Sequence, residues 1–218
     1  EKGINFFTGV PDSLLKDFCL CLDNNLSYDN HIIAANEGNA IAIATGHYLA
    51  KKTIPLVYMQ NSGLGNAVNP ILSLCDSDVY GIPLLMMIGW RGEPGISDEP
   101  QHIKQGRIQI ELLNVMEIPY QIISSDDNDI ENKIENLIAE AKIKSKPVAL
   151  LVKKGTFEKY SIKNSKTYKY DMNREEALKI ILNELKSNDI IVSTTGKTSR
   201  EIFEIRKNRK QSHKQDFL

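Results

Sequence analysis

Along most of the chain, short unbroken apolar runs alternate with longer segments whose apolar residues recur every three or four positions. The runs "INFFTGV" (4–10), "HIIAA" (31–35), "IPLVYMQN" (54–61), "IPLLMMIGW" (82–90), "PYQIIS" (119–124) and "KPVALLVKKG" (146–155) read as strands. Strands buried on both faces carry continuous rather than alternating apolar residues, and these do. Between them the spacing predicts helices over 11–25, 38–52, 66–76, 103–116 and 129–145, the first with Pro11 at its start. Repeated strand–helix steps mean α/β layering. We therefore expect one three-layer α/β domain over 1–155, built on a six-stranded, mostly parallel sheet.

The pattern then changes. Residues 156–172 are rich in Lys, Ser and Asn with weak periodicity, and read as a linker. Beyond it, "REEALKIILNELKSN" (174–188) predicts an amphipathic helix with Ala177, Ile180, Ile181 and Leu185 on one side. A strand (189–195), the turn "GKTS", a helix (200–207) and the start of another strand in "HKQDFL" follow. One such step is too little for a core of its own. Residues 173–218 are thus expected to be a truncated second α/β unit, packed on another chain, mobile, or exposing Ile181, Leu185 and Ile202.

Composition narrows the class. With 41% hydrophobic and 25% charged residues over 218 positions, the chain is an ordinary globular one. A net charge of −1 gives no field favouring nucleic acid or an anionic membrane, so neither is an expected partner. The basic run "RKNRKQSHK" reads as solvated surface. Three cysteines, an odd number, read as reduced thiols in a cytoplasmic protein. The longest apolar run is too short to span a bilayer.

In an open parallel sheet, ligands bind beyond the carboxyl ends of the strands. Four turns belong there: "GVPDS" (9–13), "NEGN" (36–39), "QNSGLGN" (60–66) and the loop from Arg91 to His102. Taken singly, Asp12 and Ser13 could be capping residues, Glu37 could favour a helix dipole, and His102 could be an ordinary loop histidine. "GLGNAV" is a weak dinucleotide fingerprint, because Val68 stands where a third Gly or Ala belongs. "GKT" ends like a P-loop, but Ile191 occupies the position of its first Gly; an anion site at a helix N-terminus stays open.

Taken together, "FTGVPDS", "AANEGNAIAIATGHYLA", "YMQNSGLGNAVNPI", "GWRGEPGISDEPQH" and "TTGKTSRE" resemble the thiamin-diphosphate-dependent decarboxylases, phosphonopyruvate decarboxylases in particular. The resemblance spans essentially the whole chain: the pyrimidine-binding domain, then the beginning of the diphosphate-binding domain. It implies that Glu37 is a buried acid that hydrogen-bonds the cofactor's aminopyrimidine ring and drives its activation. Burial would raise its carboxyl from about 4.3 toward neutrality. It further implies that Asn61, Ser62, Gly63 and Leu64 line the cofactor, that Gly196, Lys197 and Thr198 face its diphosphate, and that Asp98 and His102 serve as acid/base groups. Asp12, Ser13 and Arg91 would meet the substrate.

The cofactors implied are thiamin diphosphate and Mg²⁺. The family holds its metal and diphosphate with a Gly-Asp-Gly stretch and a later Asn-rich segment. This sequence has no Gly-Asp-Gly, so no metal ligand is assigned in it. The implied reaction is decarboxylation of phosphonopyruvate, a small anionic 2-oxo acid, to phosphonoacetaldehyde in phosphonate biosynthesis. The active site would lie between subunits of a homo-oligomer, leaving this chain alone inactive. Sulfopyruvate or another 2-oxo acid is the alternative substrate, and a non-catalytic nucleotide- or phosphate-binding module the rival from another class.

Overall fold

The computed structural model describes residues 3–161, 170–194 and 196–217; the middle of the expected linker (162–169), Thr195 and Leu218 lie outside the described residues. The chain divides into two units, Glu1–Lys163 and Asn164–Leu218. In the first, the six apolar runs form one sheet from β1 (Phe7–Gly9), β2 (His31–Ile33), β3 (Leu56–Gln60), β4 (Leu85–Gly89), β5 (Tyr120–Ile123) and β6 (Val148–Val152). Their spatial order is β2-β1-β3-β4-β6-β5, and every neighbouring pair is parallel. The sheet is wholly parallel, a tighter result than expected.

The crossovers lay helices on both faces. On one side α2 (Glu37–Lys51), α3 (Leu64–Pro70) and α4 (Pro100–Val115) bury Ile41, Ala44, Leu64 and Leu113 against Val57, Met59 and Ile88. On the other, α1 (Lys16–Asn25) and α5 (Ile130–Lys144) bury Cys19, Leu22, Ile138 and Ala141 against Leu56, Tyr58 and Leu150. Successive β3 side chains alternate between these layers, as pleating requires. Cys19, Cys21 and Cys75 are all free thiols.

Three local expectations are corrected. The first helix begins at Lys16 rather than Pro11, because the Asp12 carboxylate accepts the Leu14 N–H at 3.0 Å and holds a turn there. The helix expected over 66–76 changes character at Pro70, which has no N–H to donate; a π turn follows over Ile71–Cys75. The loop after β4 ends early, since Pro100 opens α4 and places His102 in its first turn.

The second unit contains α6 (Arg174–Glu184), β7 (Ile191–Val192), α7 (Lys197–Asn208) and β8 (Asp216–Phe217), with β7 parallel to β8. Its buried apolar side chains are Leu182, Ile202 and Ile205, flanked by Leu178, Leu185 and Ile191. The expected α6 stripe was one residue out of phase. Ile180 and Ile181 are 49% and 53% exposed, because α7 packs on the Leu178–Leu182–Leu185 side. Ile202, whose exposure was one of the expected alternatives, is buried there. Among the described residues no helix is long and apolar enough to cross a membrane.

Candidate functional site

Because all six strands run in parallel, the turns after β1, β2, β3 and β4 meet at one edge of the sheet. At the β2 turn, Asn36 caps α2, its Oδ1 accepting the Asn39 N–H at 2.9 Å. Glu37 is therefore the first helical residue and not the cap. Its Oε2 accepts from Asn66 Nδ2 at 2.8 Å. Its other oxygen faces Gly63: a β-carbon built on that glycine would lie 2.3 Å from Oε1. Among the described residues no hydrogen bond reaches Oε1. Glu37 is half-buried, less enclosed than the resemblance implied.

The β3 turn is a single 3₁₀ turn, Asn61–Gly63, running directly into α3. Asn61 is fully buried and ties two turns together: its Nδ2 donates to the Arg91 carbonyl at 2.8 Å, and its Oδ1 accepts the Arg91 N–H at 3.1 Å. The Ser62 hydroxyl accepts from Gln60 Nε2. Leu64 was expected to line the cofactor, but its side chain is fully buried in the core beneath the turn, where it packs rather than lines.

Asp12 is buried at the β1 turn, and burial pushes its carboxyl above its ordinary value despite the Leu14 N–H and the Arg91 charge. Gly89 makes that position possible, since a β-carbon there would lie 2.6 Å from Asp12 Oδ2. Behind Asp12, a cavity of about 290 Å³ opens between α1 and the sheet, lined in part by Lys16, Cys19 and Tyr58.

The expectations for Arg91 and Asp98 need correction. Arg91 Nε donates to Asp98 Oδ2 at 2.8 Å, Nη2 pairs with Oδ1, and Nη1 reaches the Ser13 hydroxyl at 2.8 Å. Asp98 also accepts the N–H groups of Gly92 (2.9 Å) and Glu99 (2.8 Å). The Arg91 hydrogen bonds hold the Asp98 carboxyl far below its ordinary value, so it has no proton to give at neutral pH. In this structure the pair braces the loop, with Asp98 and Arg91 engaged with each other rather than presented as a free acid/base group and a free cation.

His102 reaches this edge through α4. The helix is seated by Trp90 Nε1, which donates to the Gly106 carbonyl at 2.9 Å. The His102 Nδ1 atom is buried and, among the described residues, without a hydrogen-bond partner. Asp12, Ser13, Glu37, the Asn61–Gly63 turn, Arg91, Asp98 and His102 thus gather at one sheet edge. Gly196, Lys197 and Thr198 belong to the second unit, where Gly196 precedes α7 and its N–H donates to Ser199 Oγ at 3.0 Å. Sequence reasoning missed Asn36 and Asn66. Asn36 was legible as a capping type just before a helix, whereas nothing local marks Asn66 as a partner of Glu37. Among the described residues no group of three or more His, Cys, Asp or Glu could hold a metal ion.

The sequence model of a family described as "Thiamine pyrophosphate enzyme, N-terminal TPP binding domain" matches residues 1–117. Phosphonopyruvate decarboxylase of Streptomyces viridochromogenes is 30% identical over 219 aligned positions, covering 92% of this chain and 53% of that protein. The chain therefore spans about half the length of that relative. Sulfopyruvate decarboxylase subunit alpha of Methanococcus maripaludis is 36% identical over 153 positions, covering 70% of this chain and 87% of the subunit. Among solved structures, benzoylformate decarboxylase from Polynucleobacter necessarius superposes with a TM-score of 0.56 at 18% identity, over 88% of this chain and 35% of that one. At that identity the likeness speaks for the fold.

Proposed function

Because the chain belongs to the thiamine pyrophosphate enzyme family, through its N-terminal TPP binding domain, we propose that it works in the decarboxylation of phosphonopyruvate to phosphonoacetaldehyde and carbon dioxide. Thiamin diphosphate and Mg²⁺ are the proposed cofactors, the metal held by residues other than those described here. The observation that carries this reading is Glu37. Asn36 does the capping, so the Glu37 carboxylate is not needed for the helix, and Oε1 has no other hydrogen bond among the described residues. Gly63, lacking a side chain, lets the carboxylate lie against the turn after β3. An acid with one oxygen not engaged by the protein suits a hydrogen bond to a ring nitrogen of an aminopyrimidine.

When bound, thiamin diphosphate supplies the electron sink that lets carbon dioxide depart. The residues of this chain hold and move protons around it. Glu37 shares a proton with the ring nitrogen, a task suited to a carboxyl shielded on one side. Asp12, whose carboxyl burial has pushed up, faces the substrate end of the site, where burial eases its uptake of a proton. The Arg91–Asp98 brace fixes the loop beside them and adds no free charge. An active site completed by a second subunit of a homo-oligomer, in the cytoplasm, belongs to the same proposal.

The phosphono substrate is favoured because the similarity to the Streptomyces enzyme runs through both units of the chain. Sulfopyruvate is the second reading, supported by the higher identity over a shorter alignment of 153 positions. The test uses the full-length protein with Glu37→Gln. Gln keeps the shape and a hydrogen bond but cannot exchange a proton. Turnover and proton–deuterium exchange at the thiazolium carbon should both fall by roughly 10²–10⁴. A residue serving only the helix dipole would change stability by about 0.3–1 kcal/mol and leave both rates intact. Comparing kcat/KM for phosphonopyruvate and sulfopyruvate in the wild type decides the substrate, and activity with neither would point to the binding module.

A further inference from the structure

We infer that Gly63 and Asn66 are positioning residues for Glu37: together they fix where its carboxylate lies and which oxygen it presents. The inference rests on the reading of Glu37 given above and extends it to two residues that act through Glu37. Both come from the turn after β3, so the strand that carries this turn also aligns the acid delivered by the turn after β2.

Gly63 acts by what it lacks. Its backbone sits at φ −70° and ψ −19°, ordinary right-handed helical values that any residue adopts. The glycine is therefore not required by the backbone. It is required by Glu37, because a β-carbon at that position would lie 2.3 Å from Oε1, 2.5 Å from Cδ and 2.6 Å from Cγ. All three atoms belong to the far end of a flexible side chain. An alanine would be accommodated by Glu37 swinging aside, with the fold unchanged and the acid displaced.

Asn66 supplies the complementary restraint. Its Nδ2 donates to Oε2 at 2.8 Å, so one carboxylate oxygen is tied and Oε1 is the one left to a ligand. Asn66 is placed for this by close contact with α2: a β-carbon on Gly38 would lie 3.0 Å from the Asn66 carbonyl oxygen. A side chain at position 38 would push the Asn66 backbone back by a few tenths of an ångström. Steric room on one side and a hydrogen bond on the other leave the carboxylate one orientation.

The experiment compares Gly63→Ala, Asn66→Ala, Glu37→Gln and the double variant Gly63→Ala/Glu37→Gln in the full-length protein. Crystal structures without cofactor should show a native fold in Gly63→Ala with the Glu37 carboxylate moved. Calorimetry should show cofactor Kd changing far less than exchange at the thiazolium carbon, which should fall roughly 10²-fold in Gly63→Ala, the cost of a misplacement near 1 Å. Asn66→Ala should also slow exchange, by about tenfold or more. Because Gly63 acts through Glu37, adding Gly63→Ala to Glu37→Gln should cost little more than Glu37→Gln alone. A Glu37 carboxylate unmoved in Gly63→Ala, or effects that multiply independently in the double variant, would overturn the inference while leaving Glu37 its role. Wild-type exchange in Glu37→Gln would instead remove the reading beneath it.

Discussion

Two acids at the same sheet edge, Glu37 and Asp12, meet opposite surroundings. Glu37 sits in the first turn of α2, where the helix dipole favours a carboxylate. Asp12 is buried, and its ionised form is held in place against a desolvation cost that Arg91 and the Leu14 N–H only partly offset. Its folded-state carboxyl therefore titrates above the unfolded value of about 3.9, and the stability it contributes is lost as pH rises through the folded value. Asp12→Asn should then stabilise the unliganded protein by about 0.5–2 kcal/mol at pH 7 while lowering turnover. The gain should shrink as pH falls through the folded value, because the native carboxyl is then neutral too. Urea unfolding across that range checks it; a variant no more stable than wild type at pH 7 would show that burial costs Asp12 nothing.

At the scale of elements, glycines decide how closely α4 approaches the site. The Gly106 Cα faces the backbone of the 91–92 turn, and a β-carbon there would lie 1.7 Å from the Gly92 carbonyl oxygen. No flexible side chain can give way. Gly106→Ala should cost at least the usual overpacking penalty of about 1–3 kcal/mol and loosen the seat of Trp90 and His102. Gly46 provides the control. It lies inside α2 with nothing within 4 Å of a built β-carbon, so Gly46→Ala should gain about 0.5–1 kcal/mol from helix entropy. Thermal melts of both variants test the pair; equal shifts would mean that α4 does not press on that turn.

At the scale of the whole molecule, the two units differ in what holds them. The first buries side chains on both faces of a six-stranded sheet. Among the described residues, the second has three buried apolar side chains and a two-stranded sheet. Removing Leu182 from such a core should cost about 2–5 kcal/mol, which a unit of this size does not hold in reserve. In Leu182→Ala, amide hydrogen exchange should rise throughout the described residues of α6 and α7, with the protection of β3, β4 and β6 unchanged. Calorimetry should then show the first unit melting at its original temperature. A single cooperative transition shifted as a whole would mean that the units share one core.

The apolar runs alone determined the six strands, the α/β class and the edge where polar turns collect, because burial on both faces of a parallel sheet leaves no alternating pattern to misread. The turns that follow those runs carried the family resemblance, since Glu37 and the Gly-rich turn lie in contiguous segments. The phase of α6 was not legible: both of its sides carry isoleucine or leucine, and only the docking of α7 chose Leu182 over Ile181. Nor was the fate of Arg91 and Asp98 visible in a polar loop of unknown shape; a bidentate pair forms only once the turn brings residues 91 and 98 face to face. The Glu37–Gly63–Asn66 contact lies deepest in the tertiary structure. It joins turns after two strands that are not neighbours in the sheet, and only the parallel packing of β2, β1 and β3 brings them together.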